Sequence, residues 1–205
     1  LKAESHYCER SEINLVRYAL HSERARFVAK LAQRYCVLAN KPNREKRIAL
    51  MLANYPTRDG RIGNGVGLDT PASTLNILRA LEQAGYPIAD VPETGNGLIE
   101  ALLGAVTNNP ATRHQLPCWQ SMALADYWMH FQALPAACQR AVIEQWGDPE
   151  QDPKCRQGRL MIAGIRLGET FVGIQPARGF NMDLQANYHD PDLVPPHSYL
   201  ACYFW

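Results

Sequence analysis

The sequence is poor in the signatures that identify a catalytic class directly. None of its six cysteines (Cys8, Cys36, Cys118, Cys138, Cys155 and Cys202) stands in a Cys-x-x-Cys pair, and His6-Tyr7-Cys8 has no partners at ligand spacing, which argues against a structural zinc module. Six cysteines in 205 residues are too sparse for a disulfide scaffold. They read as reduced thiols, and the chain reads as cytoplasmic. There is no Gly-x-Ser-x-Gly elbow and no Gly-Lys-Ser/Thr phosphate loop, so neither a serine hydrolase nor a P-loop nucleotide site is written here. No run approaches the roughly 18 apolar residues of a membrane span. The longest uncharged stretches, such as 101–112, carry Thr, Asn and Pro. An excess of one charge is missing too: 21 Lys and Arg face 20 Asp and Glu, leaving +1 and no field to draw in nucleic acid or an anionic membrane.

What is present is globular. Apolar residues make up 46% of the chain and charged residues 20%, enough to build a core without covalent staples. From Ser11 to Leu38, apolar residues at Ile13, Val16, Leu20, Phe27, Leu31, Tyr35 and Leu38 recur at steps close to three and four, which predicts one long N-terminal amphipathic helix. Residues 1–41 therefore read as a helical segment from a preceding domain or linker. Residues 1–46 hold ten basic side chains against five acidic, with Arg17, Arg24, Arg26, Lys30 and Arg34 supplying much of the excess. A solvated helix face or a contact with an acidic partner would each account for them. Lys41-Pro42-Asn43 breaks the pattern.

From 42 to 205 the pattern is that of an α/β core region. Ile48 to Ala53 is a continuous apolar run, as expected of a strand buried on both faces of a parallel sheet. A glycine-rich loop, Asp59 to Gly67, follows it. Asp69 or Thr70 then caps a helix with Pro71 at its first position, and Gly85 ends that helix. Further helices are expected at 97–106, 121–134 and 135–146, and strands at 159–163 and 170–174 that could pair as a hairpin or lie as sheet neighbours. The fold class expected is α/β: a long N-terminal helix followed by a mostly parallel sheet flanked by helices, part of a larger multidomain protein. Both ends support the last point. The chain opens on Leu1-Lys2-Ala3-Glu4 and stops in the aromatic run Tyr199 to Trp205, so an internal fragment is expected.

Two loops invite a chemical reading. Gly63, Gly65 and Gly67 precede a helix, where backbone N–H groups favour anions, yet Asp69 puts a negative charge where phosphate would sit. The loop therefore reads as the shaped rim of a cleft, presenting Asn64 and Asp69. The denser cluster is Gln175-Pro176-Ala177-Arg178-Gly179-Phe180, followed by His189, Asp190, Asp192 and His197. It begins where a strand ends, the place at which open α/β sheets bind ligands. Arg178 is suited to gripping a carboxylate or amide, and a histidine is suited to accepting a proton or ligating a transition metal near neutral pH. Asp190 and Asp192 serve equally well as turn formers.

Several unusual strings resemble a known family. Arg47-Ile48-Ala49, Asn54-Tyr55-Pro56 and Gly63 through Ser73 are similar to the CobN family, the large subunit of aerobic cobaltochelatase. So are Trp146-Gly147-Asp148-Pro149-Glu150, Gly173 to Gly179, Tyr188 to Leu193 and Pro195-Pro196-His197. The large component of magnesium chelatase, its H-type chain, is a more distant relative. The resemblance implies a large tetrapyrrole-binding subunit that inserts Co²⁺, as substrate, into hydrogenobyrinic acid a,c-diamide in cobalamin biosynthesis. It further implies ATP and Mg²⁺ bound on separate AAA+ partner subunits of the CobS and CobT type. The crowding of polar residues after the strand end, taken with that resemblance, points to His189 and His197 as base or transient cobalt ligands, with His197 the metal candidate, and to Gln175, Arg178, Asn64 and Asp69 on the substrate. The family's His-Gly-x-Leu-Glu-Trp segment, expected shortly after Trp205, is absent here, so the fragment is not expected to catalyse alone. The alternatives are a magnesium chelatase H-type subunit acting on protoporphyrin IX, or a non-catalytic scaffold that docks AAA+ partners.

Overall fold

The structure, a computed structural model, describes residues 2–55, 57–112, 114–180, 190 and 192–205, with side chains described for all of these except 2–5 and 17. The chain divides into two compact units, Leu1–Pro42 and Asn43–Trp205.

In the first unit, β1 (Lys2–Cys8) and β2 (Ile13–Tyr18) form an antiparallel hairpin with His6 opposite Leu15 and Cys8 opposite Ile13. The helix expected from Ser11 is corrected accordingly: α1 covers only Ser22–Asn40. The reason is that Ile13, Leu15 and Val16 satisfy an alternating period as well as a helical one. β-branched Ile13 and Val16 and aromatic Tyr18 favour a strand once a partner strand is present. His21 caps α1, its Nδ1 accepting from the Arg24 amide at 3.4 Å.

The second unit is built on β3 (Ile48–Leu52), β10 (Thr170–Ile174) and β9 (Gly164–Leu167), in that spatial order. β10 runs parallel to β3, Thr170 opposite Ile48 and Ile174 opposite Leu52, and antiparallel to β9. β6 (Gln120–Ala123), β8 (Arg159–Ile162) and β7 (Cys155–Arg156) form a second, antiparallel sheet. A small hairpin of β4 (Asn64–Gly65) and β5 (Leu68–Asp69) carries the glycine loop.

The α/β class holds, but the sheets are not mostly parallel. Among the described residues, β3 with β10 is the one parallel pairing. Strand 159–162 and strand 170–174 lie in different sheets, and the hairpin partner of β10 is β9, in the stretch read as a connector. β3 is also less buried than its apolar run suggested. It lies at a sheet edge, with Leu52 inside and Met51 exposed. The strand buried on both faces is β10.

The side chains of β10 join two cores. Val172 and Ile174 point into one with Leu52, Leu75, Leu78, Leu98, Leu102 and Ile165, which packs α2 (Thr70–Gln83) and α3 (Gly95–Leu103) on the first sheet. Phe171 points into the other with Met122, Tyr127, Phe131, Val142, Leu160 and Ala201. That second core lies beneath α4 (Leu124–Gln132), α5 (Ala136–Trp146) and α6 (His197–Phe204). Local signals place the helix ends well. The Ala72 amide donates to Asp69 Oδ1 at 3.0 Å, Pro71 occupies the first turn of α2, and Gly85 follows that helix at φ +80°. The expected helix from Ser121 begins only at Leu124, because 120–123 is drawn into the β8 ladder.

Candidate functional site

The parallel strands β3 and β10 end side by side, and the ladder runs one step further as the Gln175 amide donates to the Leu52 carbonyl at 2.9 Å. Past that point the chain leaves the sheet through Pro176, which has no N–H to give. A buried polar network takes over. Asn108 Nδ2 donates to Asn54 Oδ1 and to the Gln175 carbonyl, each at 2.8 Å. Its Oδ1 accepts from Lys154 Nζ at 2.6 Å and from the Ala177 amide at 3.3 Å. Four bonds use the whole capacity of one carboxamide. Asn54 and Lys154 are each 3% exposed and Asn108 7%, so these bonds form out of water, where a missing partner is costly.

The same end of the sheet holds the base of the glycine loop. The Gly63 amide donates to the Ala53 carbonyl at 2.7 Å, and Asn54 bridges to Ile62. Asp59 braces it from the side: one carboxylate oxygen accepts from Thr107 Oγ1 at 2.6 Å and the other from Asn109 Nδ2 at 2.7 Å. Thr107-Asn108-Asn109 is thus a polar strip tying the 54–63 segment to the 175–177 loop.

Of the residues singled out in the sequence, Gln175 and Arg178 sit in this cluster. Gln175 contributes backbone bonds, and the Arg178 guanidinium donates to the Asp190 carbonyl at 2.8 Å. Asp190 in turn accepts from the Asp192 amide at 2.8 Å, a turn-forming contact. Asn64 and Asp69 lie exposed on the small hairpin, Asp69 engaged as the helix cap. His189 lies outside the described residues.

His197, expected as a base or transient cobalt ligand, is engaged at the start of the last helix. It is wholly buried at the start of α6, with Nδ1 2.6 Å from the Tyr127 hydroxyl and Nε2 2.9 Å from the Gly147 carbonyl. A carbonyl only accepts, so Nε2 carries the hydrogen and donates. Nδ1 faces the Tyr127 hydroxyl, so both ring nitrogens are engaged by the protein in this structure. Burial, with the Asp152 carboxylate adding to it, pushes the Tyr127 hydroxyl well above its usual range and keeps it protonated. Asp152 itself accepts from the Ser198 amide at 2.8 Å, a carboxylate at the N-terminus of α6. Among the described residues, no three His, Cys, Asp or Glu side chains gather as a metal site.

Sequence reading missed Asn54, Asp59, Thr107, Asn108, Asn109 and Lys154. A weak signal existed: Thr107-Asn108-Asn109 follows the uncharged stretch Ala101 to Val106, odd for an exposed turn. Lys154 gave none, because lysine is almost always on the surface. No helix of the described residues is long and apolar enough to cross a membrane.

The architecture defines a class first: a mixed α/β unit whose polar loops gather at the carboxyl ends of a parallel strand pair, the usual ligand-facing side of such sheets. Comparison then supplies the family. Residues 2–205 match the CobN/Magnesium Chelatase family, and the chain belongs to it. It is 61% identical over 197 residues to the aerobic cobaltochelatase subunit CobN of Pseudomonas aeruginosa, covering 96% of this chain and 16% of that protein. It is 29% identical over 185 residues to the H-type magnesium-chelatase component of Chlorobaculum parvum, covering 89% and 14%. A solved structure, the catalytic subunit of cobaltochelatase from Mycobacterium tuberculosis, matches with a TM-score of 0.73 and 35% identity over 98% of this chain and 16% of that one. The chain therefore spans about a sixth of the length of the relatives it matches.

Proposed function

We propose that this segment is part of the tetrapyrrole-handling subunit of an ATP-dependent cobaltochelatase, which inserts Co²⁺ into hydrogenobyrinic acid a,c-diamide in the cytoplasm. ATP is bound and hydrolysed on AAA+ partner subunits of the CobS and CobT type. The observation that carries the cobalt reading is the contrast in identity, 61% to a cobaltochelatase subunit against 29% to a magnesium-chelatase one.

Closing a metal into a macrocycle requires removal of ring N–H protons, loss of water from the ion and distortion of a stiff ring. In this reading the 175–178 loop holds the ring periphery. Arg178 grips a side-chain carboxylate or amide by charge-assisted hydrogen bonds, and the polar backbone around Gln175 orients it. Asn64 and Asp69 form the exposed rim. His189 serves as a base or transient cobalt ligand. His197 supports α6 and the second core.

The test uses the complete chain. Absorbance titration with hydrogenobyrinic acid a,c-diamide and with protoporphyrin IX, followed by insertion assays with Co²⁺ or Mg²⁺, partner subunits and ATP, separates the metal branches. The expected result is corrinoid preference, with Arg178→Ala weakening binding by about tenfold or more, the scale of one charged hydrogen bond. Porphyrin preference, or unchanged affinity in Arg178→Ala, overturns the reading.

A further inference from the structure

The Asn108 carboxamide brackets Pro176. Its Nδ2 takes the carbonyl before the proline and its Oδ1 takes the first amide after it. Because the proline cannot donate, these two bonds hold the chain at the point where it leaves the β10 ladder, two residues ahead of Arg178. The remaining donor of the same carboxamide goes to Asn54, past the end of β3, so one side chain ties the loop to both parallel strands. Lys154 Nζ, 2.6 Å from Asn108 Oδ1, is the cationic brace. Filling its site with methionine-like hydrocarbon would spare the cost of burying a charge. A cation at that oxygen polarises the amide and strengthens its two N–H donations.

We infer that Asn108, braced by Lys154, is the positioning residue that sets the Gln175–Ala177 backbone and thereby aims Arg178 at the substrate. The inference deepens the reading of that loop as the tetrapyrrole-binding edge and rests on it for its functional consequence.

Asn108→Asp keeps an acceptor for Lys154 and the Ala177 amide but removes both donations. Lys154→Met removes the brace at similar length. Val142→Ala, in the other core, serves as a control matched for loss of melting midpoint. Each is made in the complete chain and read in two ways: hydrogen exchange of the backbone amides at 175–178, and affinity for hydrogenobyrinic acid a,c-diamide by absorbance titration, well below the melting midpoint. The expected result is faster exchange in both Asn108→Asp and Lys154→Met and a loss of affinity of about tenfold, with neither change in the control. Unchanged exchange at 175–178, or an equal loss of affinity in the control, overturns the positioning role. If the unsubstituted chain binds no tetrapyrrole, the functional reading fails, and the exchange data still decide whether Asn108 holds the loop.

Discussion

The hydroxyl of Tyr127 and Nδ1 of His197 lie 2.6 Å apart, both residues wholly buried, with Phe131 stacked on the tyrosine at a ring separation of 5.5 Å. This pair ties α4 to the first residue of α6, and through Nε2 the same ring fastens α6 to the Gly147 carbonyl that ends α5. A histidine so placed links three helices.

Tyr127→Phe strands Nδ1 in an apolar pocket and is expected to destabilise the chain by about 1–3 kcal/mol. His197→Phe leaves both the tyrosine hydroxyl and the Gly147 carbonyl unpaired and is expected to cost at least as much. Denaturant melts of the complete chain check the stability. On the function proposed above, cobalt insertion per folded molecule should stay within about twofold of the parent for His197→Phe, because both ring nitrogens are engaged by Tyr127 and Gly147. A large loss at full folding would return His197 to the site.

Gly164 lies at φ +144°, and a Cβ there would meet the Val172 carbonyl oxygen at 2.5 Å and the Phe171 ring at 2.6 Å. Backbone cannot yield to it. Gly164→Ala is expected to destabilise by about 4 kcal/mol or more, among the largest single-substitution effects. Gly60→Ala, where no atom lies within 4 Å, should fall within about 0.5 kcal/mol of the parent. Equal melts for the two variants would contradict the packing at β9.

Burial pushes the Cys202 thiol from an ordinary 9.0 up to about 11, partly offset by Lys154, and also raises Tyr127. Each folded-state pKa lies above its unfolded value, so the native state keeps a proton that the unfolded chain releases. This stability is fully present below pH 9 and is lost as pH rises toward 11, at about 1.4 kcal/mol per pH unit for a fully protonated native group. Under reducing conditions, Cys202→Ala should flatten the fall between pH 9 and 11. Tyr127→Phe should flatten it above pH 10. Parallel pH profiles for parent and variants would reject the linkage.

Asp69 is exposed, yet its Oδ1 accepts the Ala72 amide at 3.0 Å at the start of α2. Asp69→Ala is expected to cost about 1 kcal/mol, with Asp69→Ser recovering most of it. Helix melting by circular dichroism checks both.

How much of this was legible follows from the range of each interaction. Asp69 capping Ala72, Pro71 in the first turn and Gly85 past the end of α2 are contacts within a few residues, so local spacing suffices to read them. The family resemblance was legible for the same reason, being carried by contiguous strings such as Gly63 to Ser73 and Pro195-Pro196-His197. Of the candidate site, Gln175 and Arg178 could be singled out in the sequence because they follow a strand end.

The rest depended on partners far along the chain. Ile13–Tyr18 fits either period, and only pairing with β1 chooses strand over helix. Gly164–Leu167 becomes a strand because β10 folds back on it. Lys154 is inside because Asn108, 46 residues earlier, offers it an oxygen. His197 is held in the core by Tyr127, 70 residues away. The amino-acid order by itself determined family, the ends of α2 and the strand on which the polar loop hangs. Tertiary structure alone decided which polar side chains face that loop, because desolvation and hydrogen-bond partnership are properties of what packs around a residue and are not encoded by its immediate neighbours.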